Sequence, residues 1–174
     1  NHLRFYLPHL PFLANLENII FLDDDVILQK DIALLGSVKL PEGTVIAAPC
    51  DTWVWGNGCA HFEFVPSAKD WRNNSAVLYL NPAWRTCGSP EDCGIAEYEE
   101  RIQRMAKTIH GSEIAFEEQP VWNFGAVLVS GSEWLRLNMT GVYHAWLREN
   151  YERRLWREDS LAYGLGIPYL AFAG

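Results

Sequence analysis

Residues 18–31 read Asn-Ile-Ile-Phe-Leu-Asp-Asp-Asp-Val-Ile-Leu-Gln-Lys-Asp, and this stretch decides the expected fold. It begins as a continuous apolar run of strand length and then meets three consecutive aspartates, Asp23, Asp24 and Asp25. Such a run is typical of a strand that is buried on both faces, as in parallel sheets. Three neighbouring carboxylates there are costly because like charges repel and burial penalises the charged form. A bound divalent cation would remove that cost.

The position of the aspartates favours a metal site. In an open α/β sheet, ligands bind at the carboxyl ends of the strands. On an extended backbone Asp23 and Asp25 point to the same side, whereas Asp24 faces away. Both could therefore hold one Mg²⁺ or Mn²⁺ ion that bridges to substrate phosphates. The alternative is an acidic turn with solvated carboxylates, and the buried strand before it makes this less favoured.

The rest of the chain alternates between strand and helix patterns. Apolar runs predict further strands at Val26–Leu28, Thr44–Ala48, Ala76–Leu80 and Ala126–Val129. Helical spacing and end signals predict helices at His2–Leu7, from the capping residue Asp31 through Leu35, at Glu97–Ile109 and at Tyr143–Trp156, with a turn at Gly131–Trp134. The last of these helices carries an apolar stripe formed by Tyr143, Trp146, Leu147, Tyr151 and Leu155. Alternation of this kind predicts an α/β domain with a mixed, mostly parallel sheet flanked by helices.

Composition limits the class of protein. The chain has 174 residues, of which 49% are hydrophobic and 13% aromatic, so we expect one domain over residues 1–174 and exclude intrinsic disorder. Its formal net charge of −8 argues against nucleic acid as a partner, because such binding needs a basic face. No run approaches the ~20 apolar residues of a membrane span.

The two ends indicate an internal part of a larger protein. The chain opens on Asn1 without an initiator Met, and its last residues, 168–174, form an apolar stretch that stops without a turn. Two N-glycosylation sequons, at Asn73 and Asn138, favour a secretory compartment. The four cysteines have spacings that fit no zinc signature, so disulfides are possible, with the pairing left open: Cys50, Cys59, Cys87 and Cys93.

The acidic stretch resembles the metal-binding segment of glycosyltransferase family 8, in its plant-type galacturonosyltransferase branch. The residues that carry this likeness are Phe21 to Asp31, which read Phe-Leu-Asp-Asp-Asp-Val-Ile-Leu-Gln-Lys-Asp. The likeness extends to four other blocks in the same order and spacing: residues 1–8, 122–134, 140–146 and 155–165. The resemblance covers most of the chain apart from roughly Cys50 to Ile114.

This resemblance implies a retaining glycosyltransferase with a nucleotide-sugar-binding fold of the GT-A type. Such enzymes use Mn²⁺ or Mg²⁺ and move a hexosyl or hexuronosyl unit from a UDP-sugar, here with UDP-galacturonate favoured, to a glycan acceptor. Carried over to this chain, Asp23 and Asp25 would hold the metal against the diphosphate. Arg4 and Asp24 would belong to the donor site, and Asn123 and Gly125 would line the sugar pocket.

The resemblance is incomplete in three places. Glu158-Asp159-Ser160 stands where many members carry Asp-Gln-Asp, so Asp159 is a candidate for orienting the donor sugar, with a helix cap as the alternative. The family's third metal ligand, a histidine, and its first strand would lie outside this chain, which would then hold about half a donor site. The branch also implies a Golgi lumen location with the membrane anchor in missing parts, while the oligomeric state stays open.

Two surface features admit two interpretations each. Four arginines late in the last helix could contact an acidic acceptor, but a solvated face is favoured: Arg148, Arg153, Arg154 and Arg157. Four aromatic residues in a glycine-containing stretch could stack on sugar rings or form a local cluster, and the sequence does not decide: Trp53, Trp55, Phe62 and Phe64.

Two other functions compete with the transferase. A haloacid-dehalogenase-type phosphatase also places Asp-x-Asp after a buried strand and uses the first Asp as its nucleophile. That class requires Thr or Val at the position of Ile27 and a later Lys and acidic pair, which do not follow here. The other alternative is a remnant that binds metal or carbohydrate and transfers nothing.

Overall fold

The structure of the chain, a computed structural model, describes residues 2–49, 95–114, 124–153, 167–168 and 170–172. The chain divides into two compact units, one of Asn1–Ala60 with Pro120–Thr140 and one of His61–Gln119 with Gly141–Gly174. The predicted strand Ala76–Leu80, the four cysteines, the sequon at Asn73 and the aromatic stretch of residues 53–64 lie outside the described residues.

Three strands form the described sheet of the first unit. Strand β1 spans Asn18–Leu22, β2 spans Ile46–Ala47 and β3 spans Ala126–Ser130. The order is β1-β3-β2, and β3 runs antiparallel to both neighbours. In the first pair Asn18 lies opposite Ser130 and Leu22 lies opposite Ala126. The amino end of β3 therefore lies beside the carboxyl end of β1.

The described sheet differs from the predicted one. The predicted parallel pairing is not found among the described strands, where both pairs are antiparallel. An apolar run indicates burial but not the direction of the partner strand, and within β1 only Ile19 is buried. The prediction of a strand at Val26–Leu28 is also wrong, because Ile27 and Leu28 lie exposed in irregular chain after a turn. The predicted strand Thr44–Ala48 shortens to β2.

Within the described residues the helices mostly follow the sequence pattern. They are a 3-10 helix at His2–His9 and the α-helices α1 at Ala33–Gly36, α2 at Ile95–His110, α3 at Gly131–Arg136 and α4 at Met139–Arg153. The predicted cap is confirmed, since the Asp31 carboxylate accepts the Ala33 N–H at 2.9 Å. The predicted turn at Gly131–Trp134 is instead the start of α3, which Ser130 caps by accepting the N–H of Glu133.

One hydroxyl ties three parts of the first unit together. Thr140 Oγ1 donates to the carbonyl of Phe5 at 2.8 Å and accepts the indole N–H of Trp134 at 2.9 Å. His9 Nε2 lies 2.9 Å from the same oxygen. Because the single hydroxyl proton goes to Phe5, His9 must donate from Nε2. We call these four residues the Thr140 cluster; its Phe5 and Trp134 rings are buried, with centroids 5.4 Å apart.

A glycine allows α3 to begin against the segment that precedes β1. The Gly131 N–H donates to the carbonyl of Glu17 at 2.9 Å. A Cβ atom at Gly131 would lie 2.5 Å from the carbonyl oxygen of Leu16, which is closer than real contacts allow. Only a residue without a side chain fits this approach.

In the second unit α2 ends in an ordinary glycine cap. Gly111 adopts a left-handed conformation with φ of 80° and donates its N–H to Lys107 at 3.1 Å. The side chain of Gln103 bonds both the N–H and the carbonyl of Ile114, each at 2.9 Å. At the helix end Trp146 donates its indole N–H to Nε2 of His110 at 3.0 Å. Burial lowers the pKa of this His below its ordinary value.

The buried face of α4 differs from the predicted stripe. Tyr143 and Trp146 are fully buried as expected, but Tyr151 is 79% exposed. Asn150, which is polar, takes the buried position of the next turn at 3% exposed. Leu155 lies outside the described residues. In the described part of the chain, none of the helices combines the length and the apolar character needed to cross a membrane.

Candidate functional site

The three aspartates lie in a turn at the end of β1. The turn closes where the N–H of Val26 donates to the carbonyl of Asp23 at 3.3 Å. Asp24 and Asp25 are exposed, while the Asp23 side chain is 39% exposed. The predicted extended backbone from Asp23 to Asp25 is therefore not what the structure shows, because residues 24 and 25 form a turn. The acidic turn of residues 23–26 nevertheless presents carboxylates to solvent.

The antiparallel ladder places Gly125 next to this turn. One further backbone bond extends the β1–β3 pairing, from the N–H of Asp23 to the carbonyl of Gly125 at 2.7 Å. It follows directly after the pair of Leu22 and Ala126. The acidic turn and the segment that contains Gly125 are far apart in sequence, and this bond joins them where β1 ends and β3 begins.

Arg4 of the 3-10 helix contacts the same end of the β1–β3 pair. Its Nη1 donates to the carbonyl of Phe124 at 2.8 Å, and its Nη2 lies 3.5 Å from Oδ1 of Asp23. The Arg4 side chain is only 10% exposed. The guanidinium therefore connects the start of β3 with the carboxylate that follows β1.

Two aromatic rings lie close to the guanidinium group of Arg4. Its carbon lies 4.5 Å from the ring centroid of Phe21 and 5.7 Å from that of Phe124, within the range of cation–π attraction. Burial lowers the pKa of Arg4 below its ordinary value, and the charge of Asp23 acts in the opposite direction. An arginine stays charged even so, because its ordinary pKa is far above neutrality. We call Arg4, Phe21, Asp23 and Phe124 the Arg4 cluster.

Sequence reasoning missed the two phenylalanines of this cluster. Phe21 belongs to the apolar run of β1, whose pattern predicts burial in the sheet. Phe124 stands between the predicted donor-site residues Asn123 and Gly125. A usable signal exists in retrospect, since each aromatic residue lies within two positions of a polar group that Arg4 binds. The pattern does not reveal the partner, because Arg4 is distant from both in sequence.

The remaining predicted residues are only partly visible. Asn123 and Asp159 lie outside the described residues, as do Arg154 and Arg157. Arg148 is exposed on α4, in keeping with a solvated face, while the Arg153 side chain is not described. The structure thus brings together Arg4, Asp23 and Gly125, and their roles stay predictions.

The acidic turn fits a hard divalent cation in the chemistry of its donor atoms. Carboxylate oxygens are the ligands that Mg²⁺ and Mn²⁺ prefer, and the three carboxylates are all at least partly accessible to solvent. Among the described residues, no group of three or more Asp, Glu, His or Cys side chains converges on one point. The donor atoms of the turn thus suit a hard cation by their chemistry.

Comparisons with known proteins agree with the motifs. The family model described as glycosyl transferase family 8 matches residues 1–168. Probable galacturonosyltransferase 10 of Arabidopsis thaliana is 28% identical over 165 residues, which cover 95% of this chain and 23% of that protein. Probable galacturonosyltransferase 4 and the hexosyltransferase GAUT11, both from Arabidopsis thaliana, are 30% identical over 95% of this chain and cover 20% and 22% of their own lengths. The chain thus spans about a fifth of the length of these relatives. No solved structure gives a significant match.

Proposed function

Because this chain belongs to glycosyl transferase family 8, we propose that it forms part of the donor site of a retaining, cation-dependent glycosyltransferase. The proposed donor is a UDP-sugar, with UDP-galacturonate favoured, and the acceptor is a glycan. The donor follows from the relatives, since probable galacturonosyltransferases 10 and 4 carry that sugar in their names. The family further supports a GT-A fold, of which the three described strands would be one part.

The observation that carries the proposal is the acidic turn held against β3. Asp23 has its backbone fixed by Gly125 and its carboxylate next to Arg4, while the neighbouring carboxylates remain in solvent. A site that must hold a charged donor in one orientation needs rigid support.

Each residue has a proposed part in donor binding. Asp23 and Asp25 would hold the cation, Asp24 and Arg4 would contribute to the donor site, and Asn123 with Gly125 would line the sugar pocket. When bound, the cation would supply positive charge that stabilises the departing diphosphate.

Three further parts of the proposal concern regions beyond the described site. We propose that Asp159 orients the donor sugar, and that residues 1–174 form one transferase domain. We also propose that the protein acts in the Golgi lumen. The sequon at Asn138 supports a secretory compartment, and its side chain is exposed just before α4.

The test is Mn²⁺-dependent binding of UDP, measured by calorimetry on the purified full-length protein. Asp23→Ala and Asp25→Ala should each weaken binding by about tenfold or more, because second-shell changes alone cost that much at metal sites. Asp31→Ala is the matched control, since this nearby carboxylate caps α1 instead of joining the acidic turn. Its UDP affinity should stay unchanged.

Three results would lead elsewhere. Unchanged UDP affinity in both acidic-turn variants would contradict the donor-site proposal. Release of phosphate from a phosphomonoester without Mn²⁺ would favour the phosphatase. Metal-dependent binding by the full-length protein without any sugar transfer would favour a non-catalytic binding protein.

A further inference from the structure

We propose that Arg4 is a positioning residue, which acts on the cation through Asp23 by holding that carboxylate in one direction. The inference rests on the proposed cation site and adds to it a residue on a separate element, the 3-10 helix. Its function would be to orient a ligand before the cation arrives, so that less side-chain freedom is lost on binding.

The backbone and the side chain of Asp23 are held by different groups. The bond to Gly125 and the turn to Val26 fix the main chain of Asp23. Neither of them determines the torsion about the Cα–Cβ bond. The contact between Arg4 Nη2 and Asp23 Oδ1, at 3.5 Å, acts directly on the carboxylate.

Arg4 can hold a partner because its own position is closely determined. One nitrogen is bonded to the Phe124 carbonyl at 2.8 Å, and the guanidinium carbon lies 4.5 Å from the ring centroid of Phe21 and 5.7 Å from that of Phe124. With 10% of its side chain exposed, Arg4 has little freedom left to lose. The positive charge of the Arg4 guanidinium is thus held at a defined position next to Asp23.

The length of the contact leaves the carboxylate available. A charge-assisted hydrogen bond of full strength is about 2.7–2.9 Å long. At 3.5 Å the guanidinium attracts Oδ1 without a close bond to it. The oxygen therefore keeps lone-pair capacity for a cation, while its direction is biased by charge.

The geometry requires an arginine and not merely a positive charge. A guanidinium presents donors in a fixed fork, so one nitrogen can bond the Phe124 carbonyl while the other faces Asp23. A lysine would keep the charge but has one compact ammonium, which cannot reproduce both directions. Arg4→Lys therefore separates position from charge.

The experiment measures binding of Mn²⁺ alone by the electron paramagnetic resonance signal of the free ion. Arg4→Lys should weaken binding by about tenfold, as is typical when the partner of a metal ligand is changed. Asp23→Asn should weaken it at least as much. The double variant should bind no worse than Asp23→Asn alone, because Arg4 would act only through that carboxylate.

Two controls separate positioning from folding. Arg136→Lys changes an exposed arginine of the same unit that pairs with Glu133, and its Mn²⁺ binding should equal that of the unchanged protein. Thermal unfolding of each variant is recorded in parallel, so that loss of folded protein is not counted as loss of affinity.

The outcomes distinguish this inference from the proposed function. Full Mn²⁺ affinity in Arg4→Lys together with reduced affinity in Asp23→Asn would overturn the positioning role and leave the cation site in place. Equal losses from Arg4→Lys in both backgrounds would mean a general structural role, which also overturns it. Unchanged affinity in Asp23→Asn would overturn the cation site itself, and this inference with it.

Discussion

Two clusters that differ in hydrogen-bond saturation attach the 3-10 helix His2–His9 to the rest of the first unit. In the Thr140 cluster, the Phe5 carbonyl and His9 meet a hydroxyl whose one proton and two lone pairs are all used, at 2.8–2.9 Å. In the Arg4 cluster, the adjacent residue Arg4 meets a carboxylate at 3.5 Å, and that carboxylate is 39% exposed. The neighbouring residues Arg4 and Phe5 thus contact two different groups. The Thr140 hydroxyl has all its hydrogen-bonding capacity in use, whereas the Asp23 carboxylate does not.

The difference indicates which cluster maintains the fold and which one is available to a ligand. The Thr140 hydroxyl has no capacity left, and Phe5 and Trp134 are buried at 0% and 2% exposed. Removing it would leave polar groups in the interior, which is costly. The Asp23 carboxylate lies at the surface, where a single ion pair contributes little to stability. The Asp23 carboxylate therefore retains the capacity to bind a ligand.

Thr140→Val should have the largest effect on stability. Valine has nearly the same shape but lacks the oxygen, so the Phe5 carbonyl and the Trp134 N–H lose that partner. We expect the free energy of unfolding to fall by about 2–4 kcal/mol, measured by urea denaturation. Thr140→Ser keeps the hydroxyl and should lose only about 1 kcal/mol for the methyl group. Equal losses in the two variants would contradict the structural role of the hydroxyl.

Gly131→Ala should have the next largest effect, because α3 carries Trp134 into the Thr140 cluster. The added Cβ would meet the Leu16 carbonyl at 2.5 Å, so the backbone must shift. We expect a loss of about 1–3 kcal/mol, the usual range for overpacking. Gly36→Ala is the matched control, since its Cβ would lie 3.5 Å from the Ile20 side chain, an ordinary contact. A destabilisation no larger than that of Gly36→Ala would refute the close approach.

Asp23→Asn should have the smallest effect on unfolding. Its ion pair with Arg4 is long and partly exposed, so we expect a change of no more than about 1 kcal/mol. The measurement is the same urea denaturation. A loss as large as that of Thr140→Val would erase the distinction between the two clusters, because Asp23 would then be a structural residue.

The sequence predicted the elements well where the signal is local. The apolar run gave β1 with its observed ends, helical spacing gave α2 within two residues, and Asp31 caps α1 as expected. Pairing direction is a property of two distant segments, and the apolar pattern of residues 18–22 is the same for either direction. For that reason the apolar pattern could not predict the antiparallel pairing of the described strands, which do not confirm a mostly parallel sheet.

The candidate site could be predicted as a set of residues but not as an arrangement. Family likeness selected Arg4, Asp23 and Gly125, and the antiparallel register is what brings Gly125 to Asp23. The prediction that Asp23 and Asp25 lie on one side treats the backbone after β1 as extended, whereas residues 24 and 25 form a turn. The rings of Phe21 and Phe124 were not predicted, because a phenylalanine beside a strand is usually core and cation–π contacts leave no spacing pattern.

The most direct test of the account is the stabilisation that Mn²⁺ and UDP together give to the protein against thermal unfolding. A ligand that binds only the folded state raises the melting temperature according to its affinity. The account predicts a clear rise for the unchanged protein and for Thr140→Ser, and a clearly smaller rise at the same ligand concentration for Asp23→Asn, whose melting temperature without ligand stays near that of the unchanged protein. An equal rise in Asp23→Asn would contradict the claim that the acidic turn holds the donor.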